Sequence, residues 1–501
     1  MQHVSCHVHI DRGLPADYKP KAAFALKSLL SAFFMHDDIH LSPKTPPGPE
    51  SGRDAIILRV YYGSAPEAHP ADVHIKSCPK APVFFQYDGA RALTPAELSY
   101  MPPGKLPLLF GRPSEASEAG DCEHLSADIV ASAFYFLADW EAVAALPESL
   151  DAHGRVAYEK TLQGALKLDT RPIVNEYAEL LLPRLNAALK RRRGGAAPVL
   201  KPRKWGENSF GACITHDFDR IKKRSKGTLK REFFDIPLLN PHGYSRQERR
   251  RRVGESLRDL FSGQDGYQRS IRRMFALEET YGVRPTVLLK SILPGPRDPH
   301  DAADYLGDAF LDEIIASTAR LKGEIGLHAS YQAGFHTEQF GREAARLSRR
   351  LNGADIRAHR FHYLRYEHLK AESVLHQAGI KTDSSLGWAG RPGFRSSFTQ
   401  PHFMYDHVRN ETGRVLQVPL HMMELQLLNS VDGHAGAALE YAKAQASCVK
   451  KHGGILCWNF HHHTFDNAEA AGAGFLFEEA LAYLTTLNPT YHALSELYEL
   501  C

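Results

Sequence analysis

Reactive side chains recur at the ends of apolar runs in the second half of this 501-residue chain. SFGACITH runs into Asp217 and Asp219; GEIGLHAS carries His328; ADIRAHR leads through Arg360 to His362, Tyr363 and Arg365; IKTDSSLG holds Asp383; GILCWNFH ends at His461. Carboxylate and imidazole together suit zinc or another divalent first-row ion that keeps positions open for water and substrate. A second carboxylate beside such an ion can take a proton from water, and a histidine opposite can protonate a leaving group. Those are the parts of a metal-assisted hydrolase. Taken singly, an aspartate at a strand end is more often a helix cap, and a histidine more often a satisfied core or surface residue. The coincidence of five such ends is what points to one site.

For these residues to meet, the runs must be neighbouring strands. Amphipathic stretches separate most of them, and regular alternation of this kind predicts parallel strands joined by crossover helices. About seven units predict an α/β fold: a closed or nearly closed, distorted (β/α)7-type barrel over residues 205–501, with its chemistry at the carboxyl ends of the strands. KRRRGGAAPVLKPRK, residues 190–204, reads as a crossing between domains. Before it, residues 1–195 predict a smaller α/β or α+β domain. Its strand-like runs are DAIILRVYYG, APVFFQYDG and KLPLLFG; its helices span Asp128 to Trp140 and Pro172 to Ala188.

Composition narrows the function classes. A hydrophobic content of 43% is that of a globular chain, and a net charge of +3 gives no global case for nucleic acid. Seven cysteines at wide spacing, with no CxxC pair, read as buried hydrophobes in a reducing compartment. The first residues lack a secretory pattern and no stretch of about 18 apolar residues occurs, so the expected location is the cytoplasm without a membrane span. Charge is nevertheless concentrated: residues 220–252 hold twelve Lys or Arg against three acidic residues. Leaving the run that carries Asp217 and Asp219, this segment should border the site, as a solvated charged helix or as a rim for an anionic substrate.

The motifs resemble those of the polysaccharide deacetylases, the family-4 carbohydrate esterases or NodB-homology group, in a variant branch whose first motif is T-H-D-x-D. ITHDFD is similar to that first motif, which implies Asp217 as general base and Asp219 as metal ligand. GEIGLHASY resembles the second motif, but only His328 matches because Gln332 stands where a second histidine is usual. RFHYLRY is similar to the third, which implies that Arg360 orients the base and that Tyr363 borders the substrate. His362 is the expected replacement ligand, ahead of His359. TDSSLGWAGRPGFRSSFTQPHFMYD, residues 382–406, resembles the fourth region, placing Asp383 and Arg395 along the substrate, and WNFH the last, making His461 the general acid. DIVASAFYFLADWEAV, DAHGRVAY and TRPIVNEYAELLL resemble the poorly characterised domain that precedes this branch.

The resemblance implies zinc-dependent removal of an N-acetyl or O-acetyl group from a sugar of a cell-surface polysaccharide or its precursor. The alternatives are a catalytically impaired, carbohydrate-binding relative and a different amidase on the same constellation. Of the triplet His461, His462 and His463, the first is expected to point into the site. The other two are read as a turn, with His462 within reach of substrate.

Overall fold

Strands β1 (Val4–Ile10), β2 (Ile39–Leu41), β3 (Ile56–Gly63), β4 (Val73–Lys76), β5 (Ser99–Met101), β6 (Leu106–Leu108) and β7 (Glu123–Leu125) belong to the first half of the chain. Five of them form one parallel sheet in the order β2-β1-β3-β4-β7, while β5 and β6 make a separate antiparallel pair. In this computed structural model the described residues are 3–41, 56–64, 70–102, 105–113, 122–193, 197–223, 231–240, 245–263, 265–296, 298–301, 304–466 and 469–501. Of the basic run at 220–252, residues 224–230 and 241–244 lie outside that set.

Alternation along β1 sends Cys6 and Val8 inward. They join Leu58, Val60, Tyr62, Val73 and Ile75 in one core with the helices Lys19–Leu30, Ile129–Leu137 and Ile173–Arg193. Asp128 starts the middle helix by accepting the Ala131 N–H at 2.8 Å, and every residue of that helix is buried. APVFFQYDG, expected as a strand, is instead a short helix at Ala81–Phe84 followed by a turn, with Pro82 in its first turn. Period alone does not separate a short apolar run of this kind from a strand.

The second sheet contains β8 (Gly211–Phe218), β9 (Thr286–Leu289), β10 (Glu324–Ala329), β11 (Ala358–Phe361), β12 (Thr382–Asp383), β13 (His402–Asp406), β14 (Glu411–Gln417), β15 (Met422–Met423), β16 (Ile455–Asn459) and β17 (Thr490–Tyr491). Its order is β13-β14-β12-β11-β10-β9-β8-β16-β15, with β17 beside β8; all neighbours are parallel except the β13–β14 hairpin. Every residue of β8, β9, β11 and β16 is buried, as expected for parallel strands covered on both faces.

The sheet curls but does not close. Among the described residues β15 and the β13–β14 hairpin, at opposite ends of the order, share no ladder, so the expected (β/α)7 barrel is an open, curled sheet. β12 and β15 are each two residues long. The chain between them crosses to the first half of the protein, where Phe394 N–H donates to Asp169 O at 2.7 Å and Val174 N–H to Ser397 O at 2.8 Å.

Candidate active site

The parallel strands deliver their carboxyl ends to one cavity of about 420 Å³, lined by Asp217, Asp219, His328, His362, Tyr363 and His461 among others. Register sets the meeting. Asp217 on β8 stands opposite Leu288 of β9, and His328 on β10 opposite Arg360 of β11, so residues far apart in sequence are placed within a few ångströms.

Asp219 is the centre of three acceptors. His328 Nε2 lies 3.6 Å and His362 Nε2 3.2 Å from its Oδ1. These three ligand atoms lie within 4.8 Å of one another, so the group could hold a metal ion. The fit rests on where the other ring atoms go. His328 Nδ1 is held by the Arg360 carbonyl at 2.9 Å, which leaves Nε2 its lone pair. His362 Nδ1 lies 3.0 Å from Asp301 Oδ1, the arrangement of a carboxylate that orients a metal-binding imidazole. Asp219 Oδ1 is buried and takes no hydrogen bond. Three converging acceptors suit a cation, and the Lys290 ammonium already approaches His362 Nε2 to 3.1 Å. Burial opposes ionisation of Asp219, but His362, His328 and Lys290 hold its carboxyl well below the usual range.

Lys290 is the other charge at this end. Its buried Nζ is 2.7 Å from Asp301 Oδ1, 3.6 Å from Asp219 Oδ1 and 2.6 Å from His362 Nδ1. His362 Nδ1 is therefore shared: a proton on it goes to Asp301, and a lone pair on it takes one from Lys290. A cation at Nε2 selects the first tautomer.

Asp217 occupies a different environment. Arg360 Nη1 donates to its Oδ1 at 2.8 Å and Asn459 Nδ2 to its Oδ2 at 3.1 Å. Arg360 is itself fixed, its Nε donating to Ser384 O at 2.8 Å and its Nη1 to Thr215 and Asn459. Burial raises the Asp217 carboxyl, but Arg360, His328 and His461 outweigh it and keep the residue ionised. Across from it His461 Nε2 stands 3.9 Å from Asp217 Oδ2, while its Nδ1 meets Glu424 Oε1 at 2.9 Å. Burial disfavours charge on His461, yet Glu424, with Asp217 and Asp219 behind it, pushes the imidazole up to about 9. A buried carboxylate and a partly buried imidazolium thus face each other at 3.9 Å beside the candidate metal residues, poised to accept and to donate a proton.

Tyr363 also lines the cavity, and it and Leu364 adopt left-handed backbone with φ of 59° and 53°. That conformation is uncommon for non-glycine residues and collects at functional sites. The first half of the chain holds it there: Arg155 Nη1 donates to Tyr363 O at 2.6 Å, and the His153 ring lies 4.8 Å from the Tyr363 ring. Arg155 thereby becomes part of the cavity wall.

With the geometry in place, comparison with known proteins adds the following. Residues 21–190 match a family of unknown function, DUF7033. No curated protein matches. Among solved structures, a proposed polysaccharide deacetylase from Mycobacterium smegmatis is 15% identical, with a TM-score of 0.39 over 60% of this chain and 92% of its own. A probable polysaccharide deacetylase from Pseudomonas aeruginosa is 13% identical, with a TM-score of 0.39 over 60% and 93%. Agd3, described as a novel carbohydrate deacetylase, is 10% identical, with a TM-score of 0.33 over 99% and 87%. At TM-scores this low the overlaps carry no functional weight, which falls instead on the side chains of the cavity.

Three residues expected along the substrate do not line the cavity. Asp383 is buried on β12, bound by His359 Nδ1 at 2.8 Å, Ser385 and Gln417; this also takes His359 away from the candidate metal position. Arg395 is buried against Asp139 at 2.8 Å and Gly387 O at 3.0 Å, so it ties the two halves of the chain together. His462 is buried between Phe218 and Tyr267, with ring centroids 4.5 and 5.8 Å away, and His463 lines the cavity in its place. Conversely, Glu424, Asp301 and Lys290 were not singled out from the sequence. Lys290 carried the same signal as the others, a charged residue closing the run PTVLLK, whereas Glu424 and Asp301 carried none.

Proposed function

We propose that this protein is a metal-dependent hydrolase that removes an N-acetyl or O-acetyl group from a sugar of a cell-surface polysaccharide or its precursor. The observation that carries the reading is the convergence of Asp219, His328 and His362 in one cavity with an ionised carboxylate, Asp217, and a cationic imidazole, His461. One carboxylate and two imidazoles would form a three-ligand donor set that leaves a position for water or substrate, which favours zinc. A bound divalent ion would supply Lewis-acid polarisation of the acyl carbonyl and make water more acidic. Asp217, oriented by Arg360 and Asn459, takes a proton from the attacking water. The water oxygen bonds to the acyl carbon, the carbon–nitrogen or carbon–oxygen bond breaks, and His461 gives its proton to the departing atom while Glu424 holds the ring. Arg155 and Arg220 on the cavity wall favour a sugar bearing negative charge.

The test is acetate release from a panel of N-acetylated and O-acetylated sugars and sugar nucleotides by protein of measured metal content. Release that disappears with Asp217→Asn, while the metal stays, supports the reading. No release from any acetylated sugar by fully loaded protein overturns it. A second reading, a non-catalytic carbohydrate-binding relative, draws on Lys290, whose ammonium competes with an ion for Asp219 and His362. Sugar binding without stoichiometric metal would favour it.

A further inference from the structure

The helix Arg246–Ser262 is amphipathic in the reverse of the usual sense. Its sequence is built to be a helix: Ser245 and Glu248 form a capping box, and Gly263 closes it with φ of 69°. Among the described side chains, those buried against the protein are polar. Arg252, Ser256 and Asp259 are buried there, Asp259 pairing with Lys223 at 3.2 Å and with Arg269 at 2.7 Å. The opposite arc carries Arg246, Arg250, Leu257, Arg258 and Phe261, all exposed, Phe261 to 87%. At 3.6 residues per turn these five fall within about 120° of one another. The preceding helical segment, Arg231–Leu239, packs against this helix and exposes Phe234 to 60%, with Leu238 and Leu239 at 75% each.

A merely solvated helix has no reason to hide charge and show phenylalanine and leucine. Large apolar side chains interleaved with arginine on one exposed arc are what a helix lying in the boundary of a bilayer presents. Charge favours an anionic surface. Residues 220–252 hold twelve basic and three acidic residues, a net +9 in a chain of net +3, so the remainder carries a net −6. Aliphatic Leu238, Leu239 and Leu257 have no role in stacking on bases, which argues against nucleic acid as the partner. No helix among the described residues is long and apolar enough to cross a membrane, so attachment here would be peripheral.

We propose that this surface docks the protein on membranes rich in anionic lipid, with Phe234, Leu238, Leu239, Leu257 and Phe261 inserted and Arg246, Arg250 and Arg258 at the headgroups. Arg220, which opens the same segment, lines the cavity, so docking brings the cavity mouth towards the lipid surface. This inference stands whether or not the cavity is a deacetylase site.

The test is co-sedimentation of the 501-residue chain with vesicles of phosphatidylcholine alone and of phosphatidylcholine with phosphatidylglycerol. Binding should require phosphatidylglycerol and weaken with salt. Arg246→Ala, Arg250→Ala and Arg258→Ala together should weaken it roughly a hundredfold, about a factor of five for each residue. The neutral set Leu238→Gln, Leu239→Gln and Phe261→Gln should weaken it by at least about tenfold. Since all six side chains are exposed, melting temperature should not change. The proposal is overturned by equal binding to both vesicles, by no binding to either, or by binding indifferent to the glutamine set. It is also overturned by lipid-free protein forming a dimer that Phe261→Gln dissolves, or by the arginine set abolishing binding to RNA or DNA while vesicles are ignored.

Discussion

Replacing Glu424 by glutamine removes one negative charge 2.9 Å from His461 Nδ1 and keeps the shape of the side chain. In the native protein His461 moves from 6.5 to about 9, a difference of about 2.5 pH units, against the pull of burial. At 1.36 kcal/mol per pH unit, the surroundings favour imidazolium by about 3 kcal/mol. With Glu424 gone, burial is opposed only by Asp217, 3.9 Å away, and by Asp219 behind it. The titration should then fall by roughly 2 to 3 pH units, so that about half or more of the rings are neutral at pH 7. NMR of histidine-labelled protein reads this directly, with His461→Gln assigning the resonance. If the cavity is catalytic, the alkaline limb of kcat/KM, set by loss of the acid, should move down by the same amount. Stability carries a third signature. A group raised on folding contributes stability that is full below its unfolded value of 6.5 and lost as pH rises through about 9. Urea midpoints in wild type should therefore fall across that window, and Glu424→Gln should flatten the slope. A native His461 titrating near 6.5, or one indifferent to Glu424→Gln, refutes the pairing.

Metal analysis of purified variants separates the two aspartates: Asp219→Ala, His328→Ala and His362→Ala should each lose bound ion, whereas Asp217→Asn should keep it. Loss in Asp217→Asn with retention in Asp219→Ala would mean that the carboxylates are reversed. Asp301→Asn, which no longer fixes the His362 tautomer, should weaken metal affinity by roughly 10- to 100-fold in a competition titration with a chelating dye. Arg395→Leu leaves the partly buried Asp139 with His368 at 2.9 Å and should cost about 3 kcal/mol in chemical denaturation, the low end for a buried pair. The same variant should hold its metal, because Arg395 stands away from the cavity; loss of ion with unchanged stability would show the reverse.

What the sequence made legible was whatever a strand's own phase controls. Asp217, His328, Arg360 and His461 each close an apolar run, and parallel pairing carries such ends to one side by construction. What stayed hidden depends on where irregular chain goes. Asp301 sits among other acidic residues in a loop, and Glu424 opens a helix whose pattern advertises packing rather than chemistry. Arg395 and Asp383 failed for the opposite reason. A buried charge held by a distant polar or charged partner looks in sequence like any charged residue near a motif, and the partners, Asp139 and His359, lie 256 and 24 positions away. His462 shows the limit of counting positions beyond a strand: one residue of turn was enough to send it against Phe218 and Tyr267 while His463 faced the cavity.

The crossing of that same segment bears on how the chain is made. Phe398 and Tyr405 belong to the core around the first sheet, and Ser397 and Phe394 supply backbone partners to residues 174 and 169. Synthesis runs from the amino terminus, so the first sheet emerges with part of its interior still some 200 residues from being made. Until then Phe24 and Phe134, whose rings meet Tyr405 edge-on, have an incomplete lid, and the early product is a species for a chaperone to hold. A ribosomal pause or truncation before residue 394 should leave an aggregation-prone fragment, not a free-standing module, which makes the two halves poor candidates for exchange between proteins.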